Sequence, residues 1–332
     1  MRPSVTLLLP ASTVGRMFRE QDLARLRSEA DVVGPCDVLT SLEMARALGA
    51  ATVALTGWGT PAIPDEVFDQ AQSLKLVAHS AGSVKFLIPD SFFGRGLRIT
   101  TAASANAVPV AHFTVAMMVS LLKQTPWIAA AYAAGDAQEV ERRRGVLQEL
   151  EDISVGILGA SRVGREVIRL LKCYPGVTVK VYDPYLSPAS AADLGVELVD
   201  LDTACRCPVV SVHAPNTPET RHMLSVRTLA LLPDHAVLIN TARGALLDEA
   251  ALLAEMRRRP LYAALDVTDP EPPAADSPLR REKNIILTPH IAGAMNQACR
   301  EMGAIAIGEI IRFLHGQPLQ HEVTETMFAT QA

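Results

Sequence analysis

The segment from residue 153 to residue 183 constrains the fold more than any other part of this sequence. One apolar stretch ends at Gly159, a helical pattern begins near Gly164, and a second apolar stretch ends at Asp183. This order predicts a strand, a tight turn, a helix and a second strand that ends in an acidic side chain. Because a helix that begins at such a turn leaves backbone N–H groups unpaired, the turn can hold a pyrophosphate. The segment therefore predicts a dinucleotide-binding βαβ unit.

The same segment departs from the usual G-x-G-x-x-G pattern at its middle glycine, where this sequence has Ser161. A side chain there either crowds the pyrophosphate or donates a hydroxyl hydrogen bond to it, and we favour the hydrogen bond. Asp183 should accept the ribose hydroxyls of NAD and repel the 2′-phosphate of NADP, because no arginine follows it before Pro188. We therefore predict NAD as cofactor, with turn contacts from Gly159, Ser161, Arg162, Val163 and Gly164.

Composition favours a two-domain enzyme with a small-molecule partner. The 332 residues exceed what one typical core needs, and 49% hydrophobic with 20% charged residues is ordinary for a globular protein. A formal net charge of -5 gives no general attraction for nucleic acid or for an anionic membrane. We therefore expect a small-molecule substrate, no nucleic-acid partner and no membrane partner.

Cysteine usage and the apolar stretches favour a cytoplasmic protein. The five cysteines include no CxxC pair, which indicates neither a disulfide framework nor a zinc site. The first ten residues carry one positive charge and a short apolar run, so we expect a first strand and not a signal peptide. Residues 108–122 contain His112 and fall short of the ~20 residues of a membrane span, which predicts a buried helix. No histidine spacing of metal-binding type occurs, and we expect no metal.

Short apolar runs alternate with helical patterns along the chain, which predicts α/β architecture with parallel sheets. A first series has strands at 5–9, 52–56, 74–78 and 97–101, with helices at 12–29 and 41–48. A second series has six strands, the number in a complete dinucleotide-binding sheet, at 153–158, 177–182, 209–213, 236–241, 261–265 and 285–288. A helix is expected to begin at Asn106, with Pro109 in its first turn, and to connect the two series.

These series suggest three parts of the chain. We expect a substrate domain at residues 1–101, a dinucleotide-binding domain at 102–295, and a C-terminal helical segment at 296–332 that returns to the substrate domain. Two arginine runs, at 142–144 and 257–259, are interpreted as surface charge and not as anion sites, because the second run ends a predicted helix.

Three segments place polar side chains at the carboxyl ends of predicted strands, where open α/β sheets bind ligands. They are NTARG at 240–244, LDVTDPEP at 265–272 and TPHIAG at 288–293. With VHAPNTPET at 212–220 and ANAVPVA at 105–111, these segments resemble the D-isomer-specific 2-hydroxyacid dehydrogenases, a family that includes phosphoglycerate dehydrogenase-like proteins. The resemblance extends from about residue 79 to residue 295.

The resemblance implies two Rossmann-like domains: a doubly wound, parallel-sheet dinucleotide-binding domain and a smaller, flavodoxin-like substrate domain, with the reaction in a cleft between them. It implies hydride transfer between NAD(H) and a D-2-hydroxyacid or its 2-ketoacid. It also implies a homodimer. We expect the dimer interface at residues 108–122 and the alanine-rich residues 128–134, which carry more apolar surface than one domain needs to cover.

The resemblance also implies the roles of individual side chains. His290 would be the general acid and base, Glu271 would hold its imidazole by a hydrogen bond, and Arg243 would bind the substrate carboxylate and carbonyl oxygen. Asp266 would lie on the nicotinamide side of the cofactor. The remaining cofactor contacts would be His213, Ala214, Pro215, Thr220, Thr241 and Ala242.

Each of these residues also has a plain structural interpretation. A single histidine at a strand end is more often structural than catalytic, Arg243 could cap its strand, and Glu271 could be an exposed loop acid. Asp266 could serve only to accept backbone N–H groups at the end of its strand.

A loop in the first series, HSAGS at 79–83, resembles the family's loop whose backbone N–H groups hold the substrate carboxylate. It gives Ser80, Gly82 and Ser83 as substrate contacts, although it could instead be an ordinary strand-to-helix turn. The match is imperfect at Val84 and Lys85, and Lys85 leaves a phosphorylated substrate open. Trp58 could cover the substrate pocket or pack in the core. His112 stands where the family often has glutamate.

We therefore predict an NAD-dependent D-2-hydroxyacid dehydrogenase or 2-ketoacid reductase. Glu271 argues against formate as substrate, because the formate branch of the family has glutamine there. The alternative is an NAD(H)-sensing, corepressor-like interaction protein, a class that the same family includes, and this chain lacks the long tails expected of it. Phosphite or another small oxyanion as reductant is a third, less favoured interpretation.

Overall fold

The computed structural model describes residues 2–37 and 40–330 and divides the chain into two compact units. The first unit contains residues 1–107 with residues 294–332, and the second contains residues 108–293. The outermost residues of the predicted terminal segments, 1 and 331–332, lie outside the described part of the chain. Each unit is built on its own parallel sheet.

The sheet of the first unit has five parallel strands in the order β2-β1-β3-β4-β5, which is a flavodoxin-like order. The strands are β1 (Ser4–Leu7), β2 (Asp31–Val33), β3 (Val53–Thr56), β4 (Leu76–His79) and β5 (Arg98–Thr101). The helices are α1 (Ala11–Met17), α2 (Glu20–Glu29), α3 (Ser41–Leu48) and α4 (Asp65–Gln70), with a 3₁₀ helix at Asp90–Arg95. From the C-terminal part come α13 (Gln297–Leu314) and α14 (Glu325–Thr330).

Side-chain alternation in the strands gives this sheet two apolar faces. Leu55 and Leu76 belong to a core cluster that includes residues of α1, α2 and α13. Ala54 and Val77, which alternate with them, belong to a second cluster that includes residues of α3 and α4. Because both faces are covered, the central strands β3 and β4 are buried along their whole length, as parallel strands usually are.

The sheet of the second unit has seven parallel strands in the order β12-β11-β10-β9-β6-β7-β8. The strands are β6 (Ser154–Leu158), β7 (Thr178–Tyr182), β8 (Glu197–Leu198), β9 (Val209–Val212), β10 (Val237–Asn240), β11 (Tyr262–Leu265) and β12 (Ile285–Leu287). The helices are α6 (Thr125–Ala133), α7 (Ala137–Arg144), α8 (Arg162–Leu171), α9 (Pro188–Asp193), α10 (Leu201–Cys205), α11 (Val226–Leu229) and α12 (Glu249–Arg258). Short 3₁₀ helices lie at Gly244–Leu246 and Pro278–Arg281. This is a doubly wound sheet that changes direction between β6 and β9, the usual position of a ligand site.

The predicted fold class is confirmed, and four details of the prediction were wrong. The short edge strands β2 and β8 were missed, because two or three residues carry too little periodic pattern to be recognised. The predicted helix at 12–29 is two helices, α1 and α2, separated by Phe18 and Arg19. The connecting helix α5 (Ala103–Leu122) begins earlier than Asn106. Pro109 therefore lies inside α5, not in its first turn.

Helix α5 is long and apolar enough to cross a membrane by the criteria of length and composition alone. It has 20 residues, more than the stretch at 108–122 that the sequence suggested, and 44% of its most apolar window is buried in the fold. Ala111, Val115 and Met118 lie in the core of the second unit. A core helix of a globular domain meets the same criteria, so they give only weak support for a membrane span.

Two buried histidines make the stability of the fold sensitive to mild acid. Burial lowers the pKa of His79 to about 4 and the pKa of His213 to about 3. Below pH ~6.5 the unfolded chain binds protons at these positions and the folded chain does not, so the free energy of unfolding falls as the pH falls. Each histidine should remove about 2 kcal/mol between pH 7.5 and pH 5.

His79→Gln tests this expectation, because glutamine cannot titrate but can still bond to the hydroxyl of Thr56. Between pH 7.5 and pH 5, urea unfolding should show a pH slope that is on average shallower by about 0.8 kcal/mol per unit than that of the unaltered protein, which is about 2 kcal/mol over the whole range. His222→Gln is the control, since the His222 side chain is exposed in the folded chain. An unchanged slope in His79→Gln would contradict the assignment.

Candidate functional site

The turn between β6 and α8 depends on two glycines. Gly159 has φ +102°, and a Cβ atom there would lie 2.6 Å from the backbone nitrogen of Ala214. A Cβ atom on Gly164 would lie 2.2 Å from the carbonyl oxygen of Gly159. Neither position can accept a larger residue without a backbone shift, so the turn and the start of α8 have the close approach that a pyrophosphate-binding βαβ unit needs.

Ser161 is the N-cap residue of α8, and its hydroxyl oxygen accepts a hydrogen bond from the backbone N–H of Gly164 at 3.3 Å. Its hydroxyl hydrogen remains able to donate, so a bond to the pyrophosphate stays a prediction. Arg162 and Val163 lie in the first turn of the helix, and the positive end of a helix dipole attracts an anion. Burial lowers the pKa of Arg162.

Asp183 lies directly after β7 and is held beside this turn. Its carboxylate accepts hydrogen bonds from the backbone N–H groups of Ala160 at 2.7 Å and Tyr185 at 2.8 Å. The two bonds fix the carboxylate next to Gly159, and its remaining lone pairs can accept the ribose hydroxyls of a dinucleotide. The residues of this region therefore fit NAD, which would bring a pyrophosphate to the first turn of α8 and a ribose to Asp183.

The segment after β9 packs against the turn between β6 and α8. His213 is buried, and its Nε2 atom is 2.9 Å from the hydroxyl oxygen of Ser211. Its backbone N–H donates to the carbonyl of Leu158. Ala214 packs against Gly159. The His213 side chain therefore has a structural role in the interior. Contacts from the backbone of residues 213–215 to a cofactor stay a prediction.

Thr220 closes the loop that follows. Its hydroxyl donates to the carbonyl of Pro215 at 2.6 Å and accepts from the N–H of Thr217 at 2.9 Å. The hydroxyl is therefore committed to the loop itself, and a cofactor contact by Thr220 stays a prediction.

The loop after β10 carries Thr241, Ala242 and Arg243. The hydroxyl of Thr241 lies 3.0 Å from that of Thr114, and a guanidinium nitrogen of Arg243 donates to the carbonyl of Ala242 at 2.7 Å. Burial lowers the pKa of Arg243, and the negative charge of Glu271 partly offsets that shift. A largely buried guanidinium with an acid nearby is suited to holding a carboxylate or a developing oxyanion.

Sequence reasoning missed the residue that shapes this loop, Asn240. It is fully buried at the end of β10, where its side chain accepts from the N–H of Ala242 at 3.0 Å and donates to the carbonyl of Arg243 at 2.8 Å. A polar residue at the last position of an otherwise apolar strand was the available signal.

His290 and Glu271 are brought together as predicted, and their catalytic roles stay predictions. The Nδ1 atom of His290 is 2.7 Å from a carboxylate oxygen of Glu271, and both side chains are partly exposed, at 48% and 39%. His290 has φ +54°, a left-handed conformation that is uncommon for a residue other than glycine. Such a conformation persists only where the surroundings hold it.

Asp266 provides that support. It is 2% exposed, and its carboxylate accepts hydrogen bonds from the hydroxyl of Thr288 at 2.6 Å and from the backbone N–H groups of Ile291 at 2.8 Å and Ala292 at 2.9 Å. Its carbonyl accepts from the N–H of His290 at 2.9 Å. These contacts favour the structural interpretation of Asp266, and its contact with the nicotinamide stays a prediction. Thr288 was not anticipated from the sequence.

In the first unit, the predicted substrate contacts in the loop after β4 differ in their burial. Ser80 is fully buried, and both its hydroxyl and its N–H donate to the carbonyl of Thr56 at 2.8 Å. Gly82 and Ser83 are partly exposed, and within residues 2–37 and 40–330 their backbone N–H groups have no hydrogen-bond partner. The loop therefore offers N–H groups at 82 and 83, while Ser80 serves the interior of the unit.

Three other predicted positions differ in their surroundings. Lys85 donates to the carbonyl of Ala329 at 3.3 Å and lies 4.8 Å from the ring centre of Phe328, so it is engaged with α14. Trp58 packs partly against the core of the first unit. His112 is exposed on α5. Among the described residues there is no group of three metal-ligating side chains.

Comparison with known proteins assigns the chain to a family. Residues 115–292 match the model of the D-isomer specific 2-hydroxyacid dehydrogenase NAD binding domain. The chain is 30% identical to a D-3-phosphoglycerate dehydrogenase of Methanocaldococcus jannaschii over 306 residues, which cover 91% of this chain and 57% of that protein. It is similarly 30% identical to the Bacillus subtilis D-3-phosphoglycerate dehydrogenase over 79% of this chain and 49% of that one. The chain thus spans about half the length of these curated relatives.

Among solved structures, the D-mandelate dehydrogenase of Rhodotorula graminis aligns with a TM-score of 0.85 at 22% identity, covering 98% of both chains, which shows a shared fold. The chain belongs to the D-isomer specific 2-hydroxyacid dehydrogenase family, and its second unit contains the family's NAD-binding domain.

The position of Asp183 predicts which dinucleotide binds more tightly. NADH should bind at least ~10-fold more tightly than NADPH, a difference of about 1.4 kcal/mol, because a carboxylate beside the ribose repels a 2′-phosphate. Asp183→Asn should narrow that ratio, since it removes the charge and keeps one oxygen that can accept from Ala160 or from Tyr185. Titration calorimetry gives both affinities.

Asp200→Asn is the matched control, because Asp200 also accepts a backbone N–H after a strand of the same unit, at the N-terminus of α10. It should leave the NADH to NADPH ratio unchanged. Equal affinities of the unaltered protein for the two cofactors would mean that Asp183 does not reach the ribose.

Proposed function

We propose that this chain transfers hydride between NAD(H) and a small D-2-hydroxyacid or its 2-ketoacid. The observation that carries the proposal is the 2.7 Å contact between His290 and Glu271. Both residues follow strands of the parallel sheet in the second unit, and that unit matches an NAD-binding domain. The curated relatives are longer proteins, of which this chain matches 57% and 49%, so the residues of this chain itself carry the proposal.

Within this proposal the bound NAD(H) supplies or accepts the hydride, and His290 handles the proton. If the Nδ1–H of His290 donates to Glu271, the neutral imidazole presents an unprotonated Nε2 as acceptor. That atom can take the hydroxyl proton when the hydroxyacid is oxidised and return it when the ketoacid is reduced. Glu271 keeps the ring in one orientation, the base-and-orienter arrangement of many active sites.

Arg243 and the loop after β4 are proposed to bind the substrate's oxygens. The guanidinium of Arg243 is mostly buried, so its charge acts on a carbonyl oxygen with little screening by water. The free N–H groups of Gly82 and Ser83 are suited to a carboxylate oxygen. Neither set of contacts specifies the side chain of the substrate.

The interaction-protein alternative has no specific support among the described residues. A sensor needs the dinucleotide turn, and corepressors that resemble this family can keep the catalytic residues without using them. The proposed enzyme uses His290, Glu271 and Arg243. Absence of turnover with every 2-ketoacid, together with tight NADH binding, would favour the sensor.

The proposed role of His290 predicts a specific loss. His290→Asn should lower kcat by about 10²- to 10⁴-fold, because proton transfer loses its acid and base, while NADH affinity stays nearly unchanged. Steady-state NADH oxidation with glyoxylate, hydroxypyruvate, pyruvate, phenylpyruvate and phosphohydroxypyruvate measures the first quantity, and calorimetry measures the second.

The chain contains a matched control for this variant. His315 pairs with Glu29 through Nε2 at 3.0 Å, and these side chains are 46% and 35% exposed, close to the values for His290 and Glu271. His315→Asn removes a similar contact between histidine and glutamate in the first unit and should leave kcat unchanged. A near-normal kcat in His290→Asn would exclude it as the proton-transfer residue.

We further propose that the protein works in the reducing cytoplasm. All five cysteines are free thiols, and Cys205, Cys207 and Cys299 are buried. Burial raises the pKa of Cys205 to about 12, which keeps it an unreactive thiol. A chain with five unpaired cysteines is typical of a compartment where disulfides do not persist.

A second copy of this chain is the partner that we propose for helices α5 and α6. Val108, Val119 and Tyr132 are exposed there, Tyr132 by 78% of its surface. Ala116 and several alanines of α6 are exposed beside them. A face of small and apolar side chains on two helices suits a two-fold interface, in which the same patch contacts itself.

Light scattering tests the dimer. The unaltered protein should have twice the 35.6 kDa mass of the chain at micromolar concentration, and Tyr132→Asp combined with Val119→Glu should give the single-chain mass. Leu42→Glu is the control, because Leu42 is 59% exposed on α3, outside this face. A single-chain mass for the unaltered protein would rule out the proposal.

A further inference from the structure

One pocket of the first unit contains two arginines that no function so far described uses. The pocket has a volume of about 310 Å³ and is lined by Gly15, Arg16, Asn296, Gln297 and Arg300. All five residues belong to the first unit. Three of them come from the start of α13 and its preceding turn, and two from the last turn of α1.

Close packing of α1 against α13 places the arginines on opposite sides of this pocket. A Cβ atom on Gly303 would lie 2.1 Å from the carbonyl oxygen of Met17, so the helices meet there at backbone distance. Arg16 precedes Met17 on α1, and Arg300 lies one turn before Gly303 on α13. The two guanidinium groups therefore face a common space beside the point of helix contact.

Neither arginine has an acidic partner. Within the described ranges, the side chains of Arg16 and Arg300 make no hydrogen bond or ion pair. Glu301, which follows Arg300 in the sequence, is paired with Arg19, and Arg19 also lies 4.0 Å from Asp22. The pocket lining contains no acid, so two like charges share a space without a counter-charge, an arrangement that a bound anion would stabilise.

The remaining lining groups also favour an anion. Asn296 and Gln297 provide side-chain amides, and α13, an 18-residue helix, has no side-chain cap at its N-terminus. Its first N–H groups can therefore donate to an oxyanion. Arginine pairs commonly bind phosphate and carboxylate groups through paired N–H donors.

We propose that Arg16 and Arg300 form a binding site for a small oxyanion, a phosphate or carboxylate group. Arg16 connects this site to the rest of the unit, because its guanidinium carbon lies 4.9 Å from the ring centre of Trp58. Trp58 follows Gly57, where an added Cβ atom would lie 2.5 Å from the hydroxyl oxygen of Ser80 in the loop after β4. The anion is either the distal group of the substrate or a free ion.

The fluorescence of Trp58 provides a direct test that needs no turnover. The chain has two tryptophans, so Trp127→Phe leaves Trp58 as the reporter and keeps an aromatic ring against Tyr262. Titration with inorganic phosphate at constant ionic strength should give a saturable change in emission. Arg300→Gln is the decisive variant, because it removes one ligand and leaves Arg16 over Trp58. It should abolish the response.

Arg25→Gln is the matched control, since Arg25 is an exposed arginine of the same unit without an ion pair among the described residues. It should respond to phosphate as the parent does. The proposal is overturned if the parent shows no saturable change across the millimolar range. An Arg300→Gln response equal to that of the parent, or an equal loss in Arg25→Gln, would also overturn it.

A second measurement identifies the source of the anion and rests on the proposed dehydrogenase function. If the site binds a distal group of the substrate, Arg300→Gln should raise KM about tenfold or more for 2-oxoglutarate and leave KM for 2-oxobutyrate and kcat for both unchanged. If it binds a free anion, KM for the two ketoacids should change equally. In both cases Arg300→Gln should also lose the fluorescence response to phosphate. Failure of all turnover would contradict the proposed function but leave the fluorescence result valid.

Discussion

The buried carboxylate of Asp266 is the interaction on which the proposed chemistry depends. It accepts bonds from one hydroxyl and two backbone N–H groups, all from the segment that follows β12. A buried carboxylate without such donors would be costly, so the donors and the acid stabilise each other. The backbone around His290 adopts an uncommon left-handed conformation, and this network compensates for its cost. Asp266 is therefore a positioning residue for His290.

The parallel sheet accounts for the meeting of the other groups. Asn240 pairs in register with Leu265, and Leu265 pairs with Leu287, so β10, β11 and β12 end at one edge. Arg243, Glu271 and His290 each follow one of these strands. Side chains separated by about fifty residues in the sequence are brought to the same edge by strand register alone. The negative charge of Glu271 partly offsets the lowering of the Arg243 pKa by burial, which requires the two loops to lie close together.

This geometry explains how much the sequence could predict. Polar residues at the ends of apolar strands identified the edge of the sheet and its principal residues, because strand ends in a parallel sheet have a fixed relation to one another. The direction of each side chain had no such signal. Ser80 and Asp266 both follow strands, as Gly82 and His290 do, but their polar atoms bond inside the fold. The short strands β2 and β8 and the interior position of Pro109 depend on tertiary packing that no local pattern records.

Ser161 changes which backbone N–H groups are available at the start of α8. A glycine at this position leaves the first N–H groups of α8 unpaired, whereas the Ser161 hydroxyl satisfies that of Gly164. That N–H is then no longer available to a phosphate, but that of Val163 lies in the same first turn. Serine is among the residues that stabilise helix N-termini most, so the turn gains order as it loses one donor. The close contacts at Gly159 and Gly164 leave no such freedom, which is why those two glycines, and not the middle one, define this dinucleotide turn.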